Sequence, residues 1–426
     1  MTNTADIPEL LAPAGDREAF LAAVAAGADA IYCGVTGELN ARRRAGGIAP
    51  DELPRLCALA HGRGVRVYVA MNVAVAQAEL AGAVAAAGRA LASGTDALII
   101  QDWGLLSEIR REIPGAELHI STQANVHDAR GVRLCEELGA SRVTLSRELT
   151  LEEIAHISAE TSCELEVFSH GAICPSYSGV CMLSSFLREG RSPNRGMCAQ
   201  PCRLPFDLAG EDGVRLQPQE RERPLCTRDN CVVGDLSELR RAGVASLKLE
   251  GRMKPAPYVY AVTSAYRRAL DALGAGEGAG AGVEDAVRRR LKRSFNRGLV
   301  DCYLRGDASS RLMSYERSGN RGELVGHVVG FEPEPGFVPR DGQQMRGSVE
   351  LELGAPVGAG DSLELRHALE PTRFMVVEAP RDAAAGETLR VRVPRPMPVG
   401  AEVRVTRSAA LVREAAEAVS ELERQL

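Results

Sequence analysis

Short apolar runs rich in β-forming residues recur along the first 255 residues, and helical patterns separate them. Because the runs do not alternate strictly between apolar and polar residues, they indicate strands that are buried on both faces, as in a parallel sheet covered by helices. Glycines at the ends of the preceding helical patterns support this interpretation. The eight runs begin at Glu9, Asp29, Val65, Asp96, Glu117, Ser141, Cys163 and Ala245.

Eight strand–helix units in this length of chain predict a (β/α)8 barrel of the TIM type at residues 1–272. The alternative is an open, doubly wound sheet, which normally carries a G-x-G-x-x-G fingerprint after its first strand. The corresponding stretch here, "LLAPAGDREA", lacks that fingerprint. We therefore expect a barrel, with its chemistry at the C-terminal ends of the strands.

Polar side chains follow most of the predicted strands, at the end where the mouth of the barrel would lie. Any one of them is as easily explained as a loop cap or a surface residue, but their repetition favours a site. The candidate catalytic residues are Asp102, Gln123, Asn125, Arg147, Glu148, His170, Glu250 and Arg252.

The regular alternation of predicted strands and helices is interrupted once, at residues 172–244, where a long insertion separates the seventh predicted strand from the eighth. Six of the chain's 11 cysteines lie in it.

The N-terminal stretch "MTNTADIPEL" has no signal-peptide pattern, and no apolar run approaches the roughly 18 residues of a membrane span. We therefore expect a cytoplasmic protein with no membrane partner, in which structural disulfides are rare.

Thiols crowded into one insertion of a cytoplasmic protein indicate a soft-metal site. Zinc normally uses pairs of closely spaced cysteines, whereas iron–sulfur clusters accept wider spacing. The spacing favours an iron–sulfur cluster and leaves a zinc site and a single reactive thiol open. The cysteines run Cys174-x6-Cys181-x16-Cys198-x3-Cys202, followed by Cys226-x4-Cys231.

The pattern changes after the barrel. Residues 273–321 combine a glycine-rich linker with the basic helical pattern "EDAVRRRLKRSFNRG". This pattern predicts either a solvated helix face or a surface that contacts phosphate. It is the best candidate for phosphate contacts, and the arginines at 42–44 are the next best. Short alternating strands at residues 322–407 predict a small antiparallel β-barrel, and residues 408–426 predict a C-terminal helix. The net charge of -6 argues against a surface that coats nucleic acid, and we expect no DNA partner.

Seven longer motifs between Glu9 and Tyr303 are more specific than these isolated signals. They read "ELLAPAGDREAFLAAVAAGADAIYCG", "STQANVHD", "SRELTLEEI", "EVFSHGAICPSYSGVCMLSSF", "NRGMCAQPCR", "LKLEGRMKPAPYVYAVTSAYRRALD" and "FNRGLVDCY". Together they resemble the peptidase U32 family, also called collagenase-like proteases. The later β-rich part looks like the family's C-terminal barrel, so the resemblance covers nearly the whole chain.

The resemblance implies one of several activities. Some members of the family are described as proteases, whereas others act in oxygen-independent hydroxylation of a tRNA wobble uridine, a ribosomal RNA cytidine or the ubiquinone ring. The length and the plan of this chain look most like the tRNA branch, which forms 5-hydroxyuridine and is thought to draw its hydroxyl group from prephenate. Arg147 and Arg252 are then the expected partners of this dicarboxylate co-substrate.

The resemblance also implies a [4Fe-4S] cluster on four cysteines. Carried over residue by residue, the ligands fall on Cys174, Cys181, Cys198 and Cys231. Cys202 would then be a neighbour or a substitute, and Cys226 has no clear counterpart in the family. Four protein thiolates leave no open iron, which favours a role in electron transfer.

A collagenase-like peptidase is the alternative function. It needs an activated nucleophile, and the chain contains neither HExxH nor GxSxG. His170 precedes Cys174 by four residues and is either the base of a thiolate pair or, as we favour, a residue that orients the loop. A non-catalytic RNA-binding factor is disfavoured because the chain has few aromatic residues for stacking on bases.

Overall fold

The computed structural model describes residues 7–37, 46–216, 222–276, 281–307, 309–340, 344–367 and 373–426. The arginines at 42–44, a predicted site of phosphate contacts, lie outside these residues, as does part of the predicted glycine-rich linker. Within the described ranges, no helix is both long enough and apolar enough to cross a membrane.

Eight parallel strands form a closed barrel of the TIM type, which confirms the predicted fold class. Each strand pairs with the next one along the chain, and the last pairs with both the seventh and the first. A short ninth strand, β8, belongs to the insertion and runs antiparallel to its neighbour. The strands are β1 (Glu9–Ala14), β2 (Ala30–Cys33), β3 (Arg66–Met71), β4 (Ala97–Ile100), β5 (Leu118–Ile120), β6 (Arg142–Thr144), β7 (Glu164–Ala172), β8 (Asp229–Cys231) and β9 (Val244–Leu249).

Helices cover the outside of the barrel and bury mostly small apolar side chains against it. Side-chain caps determine where several of them begin: Asp16 accepts a hydrogen bond from the backbone N–H of Ala19, and Asp128 accepts one from Gly131. The helices are α1 (Arg17–Ala25), α2 (Leu53–His61), α3 (Leu80–Ala92), α4 (Trp103–Glu112), α5 (Ala129–Glu137), α6 (Leu151–Glu160), α7 (Leu183–Leu187), α8 (Leu236–Arg241), α9 (Ala256–Gly274), α10 (Ala281–Arg293) and α11 (Ala409–Glu423).

Charged side chains fill the N-terminal end of the barrel interior. The buried Arg142 places Nη1 2.5 Å from Oε1 of Glu9 and 3.6 Å from Oε2 of Glu166. Nζ of Lys248 lies 2.7 Å from Oε1 of Glu166. Burial disfavours the charged form of Glu166, but Lys248 and Arg142 outweigh it and lower the pKa of its carboxyl to about 2. These charges therefore remain paired beneath the mouth of the barrel.

The C-terminal part is a curled antiparallel sheet of six strands with its own apolar core. The predicted antiparallel architecture is confirmed, in the form of a half-barrel with β14 and β15 at its edges, where the strand order is β14-β13-β16-β11-β12-β15. The six strands are β11 (Glu323–Pro333), β12 (Gly347–Leu353), β13 (Ser362–Arg366), β14 (Phe374–Glu378), β15 (Thr388–Val393) and β16 (Glu402–Arg407). The two-residue strand β10 (Leu299–Val300) precedes this sheet and pairs with β8.

The basic helix α10 joins the barrel to this sheet. Arg293 places Nε 2.5 Å from Oε2 of Glu323 and Nη1 3.7 Å from Oδ2 of Asp361. Arg290 places Nη2 2.8 Å from Oε2 of Glu414 on α11. Because Arg290 and Arg293 are paired with carboxylates of the protein, α10 connects the two parts of the structure. The same pairing disfavours the predicted contacts of these arginines with phosphate.

Candidate functional site

A small cavity at the C-terminal end of the barrel strands is the mouth cavity. Four of the eight predicted catalytic residues line it: Gln123, Arg147, Glu250 and Arg252. They follow β5, β6 and β9, so the topology of the barrel brings together residues that are far apart in the sequence.

The two arginines of the mouth cavity lie over aromatic rings. Cζ of Arg147 is 4.8 Å from the centroid of the Phe168 ring, and Cζ of Arg252 is 5.6 Å from that of Tyr32. Nζ of Lys248 is 4.6 Å from the centroid of the same Tyr32 ring. Three cations thus border a cavity in which Glu250 is the lining carboxylate. Because Lys248 is paired with Glu166, the attraction for an anionic ligand comes mainly from the two arginines.

Lys248 was not among the predicted site residues. Its side chain is buried, and burial lowers the pKa of its ammonium group while the contact with Glu166 opposes that change. The sequence did indicate a special position for Lys248. A lysine within an apolar strand such as "ASLKLEG" is rarely buried without a charged partner.

Asp102 has a structural explanation instead of a place in the mouth cavity. Its Oδ1 accepts a hydrogen bond of 2.9 Å from the backbone N–H of Leu105 and caps α4. Its Oδ2 accepts another, also of 2.9 Å, from the N–H of Val75 in the loop after β3. The carboxylate therefore fixes two backbone segments, and we leave it out of the proposed site.

His170 is turned away from the mouth cavity. Its ring is 1% exposed and packs against α9, with its centroid 5.5 Å from that of Tyr266 and 6.4 Å from that of Tyr258. Neither ring nitrogen has a hydrogen-bond partner among the described residues. Burial lowers the pKa of the imidazole to about 4, so His170 is neutral at physiological pH.

Four thiols of the insertion line one cavity of about 270 Å³, which we call the cysteine cavity: Cys174, Cys181, Cys198 and Cys202. Gln123 and Arg147 line both this cavity and the mouth cavity. Among the described residues, no three histidine, cysteine or acidic side chains are close enough to hold a single metal ion. The thiols surround a space rather than a point, which suits a multi-iron cluster better than one zinc ion.

The fourth thiol of this set is Cys202, whereas Cys231 was the predicted one. Burial raises the pKa of the Cys202 thiol to about 11; Arg203 opposes this rise, and the other three thiols contribute to it. Cys231 lies on β8 opposite His170 of β7, and its Sγ is 3.9 Å from the hydroxyl of Tyr266. Because β8 pairs with the end of β7, it directs Cys231 toward α9 and away from the cysteine cavity.

Glu148 anchors the insertion to the barrel. Its Oε1 accepts a hydrogen bond of 3.0 Å from the backbone N–H of Ser178, and its Oε2 accepts one of 3.1 Å from the Ser178 hydroxyl. Nη1 of Arg147 lies 3.4 Å from the same hydroxyl oxygen. Two predicted catalytic residues therefore hold the loop between the first two thiols in position.

The insertion also contacts the ends of β3 and β5 directly. A Cβ atom on Gly179 would lie 2.1 Å from the carbonyl oxygen of Gln123, so only glycine allows this approach. Nδ2 of Asn194 donates to the carbonyl of Gly179 at 2.6 Å, and Nη2 of Arg195 lies 2.7 Å from Oε1 of Glu79. The cysteine cavity is thus held at several points around the barrel mouth.

A larger cavity of about 750 Å³, the lateral cavity, opens beside the cysteine cavity. Asn125 and Glu148, the remaining two predicted residues, lie in its wall together with Tyr177 and Tyr303. Asn125 has φ 58° and ψ 43°, a left-handed conformation that is uncommon outside glycine. Its Oδ1 accepts a hydrogen bond of 3.3 Å from the hydroxyl of Ser146.

Known proteins resemble this chain over most of its length. The 23S rRNA 5-hydroxycytidine C2501 synthase of Escherichia coli is 36% identical over 309 residues, which is 71% of this chain but 46% of that protein. This chain therefore spans about half the length of that relative. The tRNA hydroxylation protein P of Escherichia coli is 30% identical over 406 residues, 84% of this chain and 86% of the relative.

A third relative has the name of a protease. The collagenase of Porphyromonas gingivalis is 31% identical over 313 residues, 70% of this chain and 73% of that protein. The family model described as Peptidase family U32 matches residues 15–314, which include nearly the whole barrel and its cysteine-bearing insertion. The chain belongs to peptidase family U32.

Proposed function

We propose that this protein is an iron–sulfur enzyme that hydroxylates a pyrimidine base of RNA without molecular oxygen, with a tRNA wobble uridine as its substrate and 5-hydroxyuridine as its product. The observation that carries this proposal is the position of four thiols in a cavity that shares Gln123 and Arg147 with the mouth cavity. A redox centre and an anion-binding mouth then lie side by side.

The choice of tRNA depends on how far the relatives align. The alignment with tRNA hydroxylation protein P covers 84% of this chain and therefore extends beyond the barrel into the C-terminal sheet. The alignment with the rRNA synthase covers 309 residues and less than half of that protein. Hydroxylation of an rRNA cytidine or of a quinone precursor remains the alternative within the same chemistry.

We propose that Cys174, Cys181, Cys198 and Cys202 hold a [4Fe-4S] cluster. Such a cluster supplies one-electron transfer when it is bound. The hydroxyl of Ser184 lies 4.0 Å from Sγ of Cys198 and can donate to it, a type of contact that tunes the potential of a metal site.

Arg203 ties together the segments that carry the first and last of these thiols. Its Nη2 donates to the carbonyl of Ile173 at 2.8 Å, and its Nη1 donates to that of Thr227. Arg203 follows Cys202 directly, and Ile173 precedes Cys174 directly. One guanidinium group therefore links the segments that carry two of the proposed ligands.

The cations of the mouth cavity favour a dicarboxylate co-substrate such as prephenate. The cavity has a free volume of only about 30 Å³, so the side chains that line it must move to admit the co-substrate. Arg147 and Arg252 are the proposed partners of its carboxylates, and the aromatic rings beneath both guanidinium groups limit their orientation. Lys248 adds positive charge at the floor of the cavity. The source of the hydroxyl group would then lie beside the wall that the mouth cavity shares with the thiols.

A collagenase-like peptidase is the second candidate, favoured by the relative named collagenase. The surroundings of His170 disfavour it. A thiol nucleophile needs a nearby base, and the His170 ring is packed against Tyr258 and Tyr266 on the outside of the barrel.

The ligand set is tested by purifying the protein and its single cysteine-to-alanine variants without oxygen and measuring iron and sulfide. We expect the changes at Cys174, Cys181, Cys198 and Cys202 each to abolish or strongly reduce the bound iron. Cys231→Ala is the matched control, because this thiol is buried near α9, and it should keep its iron. Loss of iron in Cys231→Ala with normal iron in Cys202→Ala would restore the predicted set.

The substrate is tested by nucleoside analysis of RNA from a deletion strain. We expect 5-hydroxyuridine to disappear from tRNA and to return on expression of the wild-type protein. Loss of a hydroxycytidine from rRNA, with tRNA unchanged, would assign the protein to the rRNA alternative. An iron-free preparation that cleaves peptides would overturn the proposal in favour of the peptidase.

A further inference from the structure

The lateral cavity adjoins the cysteine cavity but has a different character. Pro175, Ser176 and Tyr177 line both cavities, so one short segment between the first two thiols separates them. At about 750 Å³ the lateral cavity is large enough to enclose a nucleoside-sized ligand.

Two tyrosines from distant parts of the chain lie in the wall of the lateral cavity. Tyr177 belongs to the insertion and is 71% exposed, so its ring presents a face to solvent. Tyr303 follows β10 and packs against the apolar cluster of Ile173 and Leu312. Burial raises the pKa of the Tyr303 hydroxyl, and Glu148, which lines the same cavity, contributes in the same direction.

Hydrogen-bonding groups lie in the same wall. Each carboxylate oxygen of Glu148 accepts one hydrogen bond from Ser178 and keeps a second lone pair. The amide oxygen of Asn125 accepts from Ser146, which leaves the amide nitrogen of the same group as a donor. An acceptor next to a donor matches the N–H and carbonyl groups at the edge of a pyrimidine.

The charge of the lateral cavity favours a base over a phosphate group as its ligand. The described residues that line it include the carboxylates of Glu148 and Glu153 but no lysine or arginine. A phosphate would be repelled there, whereas a neutral base that donates an N–H would be attracted. This composition is the opposite of the mouth cavity, which Arg147, Lys248 and Arg252 make positive.

We propose that the lateral cavity receives the target pyrimidine, turned out of the RNA strand, with its face stacked on Tyr177 and its polar edge toward Asn125 and Glu148. This inference rests on the proposed function and adds the place where the base binds. The cysteine cavity then has the base on one side and the mouth cavity with its anionic ligand on the other.

The test is a double-mutant cycle between Tyr177 and the base. Binding of a labelled anticodon stem–loop is measured by fluorescence anisotropy, with either uridine or an abasic residue at the wobble position. Tyr177→Ala should weaken binding of the uridine RNA about tenfold, the usual value of one base stacked on an aromatic ring. The same change should leave binding of the abasic RNA unaltered, and Tyr177→Phe should bind both RNAs like the wild type.

Phe186→Ala is the matched control. Phe186 is also an exposed aromatic residue of the insertion, at 86% exposure, but it does not line the lateral cavity. Its removal should change neither affinity, and iron content should be equal in all variants. An equal loss of affinity for the two RNAs in Tyr177→Ala, or no loss at all, would overturn the proposed base site.

A second readout separates this inference from the proposed function. Saturation transfer from the protein to free uridine is measured by NMR and should depend on Tyr177. If tRNA from the deletion strain keeps its 5-hydroxyuridine but this transfer is seen, the cavity binds pyrimidines and the proposed function fails. If the modification is lost on deletion but Tyr177→Ala restores it fully and shows normal transfer, the function stands and the base site is overturned.

Discussion

Two glycines of the insertion have the same left-handed backbone but different surroundings. Gly179 has φ +77° and lies against the carbonyl of Gln123, whereas Gly190 has φ +72° and a Cβ atom added there would meet nothing within 4 Å. Gly190→Ala should cost about 1–2 kcal/mol, the penalty of a Cβ atom in this conformation. Gly179→Ala should cost more and should detach the insertion from β5, because its Cβ would lie 2.1 Å from that oxygen.

Urea unfolding and limited proteolysis compare these two variants. We expect faster cleavage within the insertion and reduced iron only for Gly179→Ala. Equal behaviour of the two proteins would show that the contact with Gln123 does not hold the insertion in place.

At the same scale, the sequence predicted correctly that some of the polar strand ends would lie together, whereas other candidate residues have a different place in the structure. The ends of parallel strands meet at one mouth, which is why Gln123, Arg147, Glu250 and Arg252 lie together. Asp102 also follows a strand, but it immediately precedes a helix. An aspartate at that position is expected to cap the helix, and Asp102 does cap α4.

Among the elements, α10 shows that a basic pattern does not identify a surface for RNA. The side chains of Arg293, Glu323 and Asp361 are nearly buried, with at most 13% exposure. Arg293→Met should therefore remove the nearest cation from two nearly buried carboxylates. Glu323 keeps Arg289 at 3.5 Å and Asp361 keeps two backbone N–H donors, so the free energy of unfolding should fall by about 3 kcal/mol, the lower end of the cost of breaking a buried pair. Lys292→Met, on the exposed side of the same helix, is the control and should change it by less than about 0.5 kcal/mol.

Urea unfolding of both α10 variants measures this difference, and the salt dependence of RNA binding supplies a second observation. We expect the dependence on salt to be the same for Arg293→Met and the wild type, because a paired arginine releases no counterions from RNA. A weaker dependence would return α10 to its predicted role in contacting phosphate.

The strands that the sequence did not predict are the short ones, β8 and β10. All eight barrel strands were predicted from apolar runs, but β8 and β10 were not. β8 has the sequence "DNC", and β10 has only two residues, so neither carries a pattern of its own. β8 forms because β7 continues beyond the barrel to Ala172 and offers it an edge for pairing, and β10 pairs in turn with β8. The position of Cys231 depends on that pairing, which no spacing of cysteines reveals.

For the molecule as a whole, α11 connects regions that the sequence separates widely. The helix was predicted, but its packing against α1 and α9 was not. Val419 and Leu422 of α11 join the apolar core of the barrel, although the six-stranded sheet intervenes in the sequence. An amphipathic pattern shows that a helix has an apolar face but not which surface will cover it.

Leu422→Ala tests this connection. Its side chain is 5% exposed, and its truncation should destabilise the barrel by about 2–4 kcal/mol. Leu426→Ala is the control at a position that is 36% exposed, and it should have little effect. Thermal unfolding monitored by the single Trp103, on α4 of the barrel, measures both variants. An unchanged midpoint for Leu422→Ala would contradict a role of α11 in completing the barrel.

The packing of α11 on α1 also has a consequence during synthesis. A ribosome adds about 5–20 residues per second, so the roughly 400 residues between these two helices take about 20–80 s to make. Throughout that interval the part of α1 that α11 will cover faces the solvent or a chaperone. The nascent chain thus carries an exposed apolar surface long after its eight barrel strands have emerged, and it needs protection from aggregation until α11 arrives.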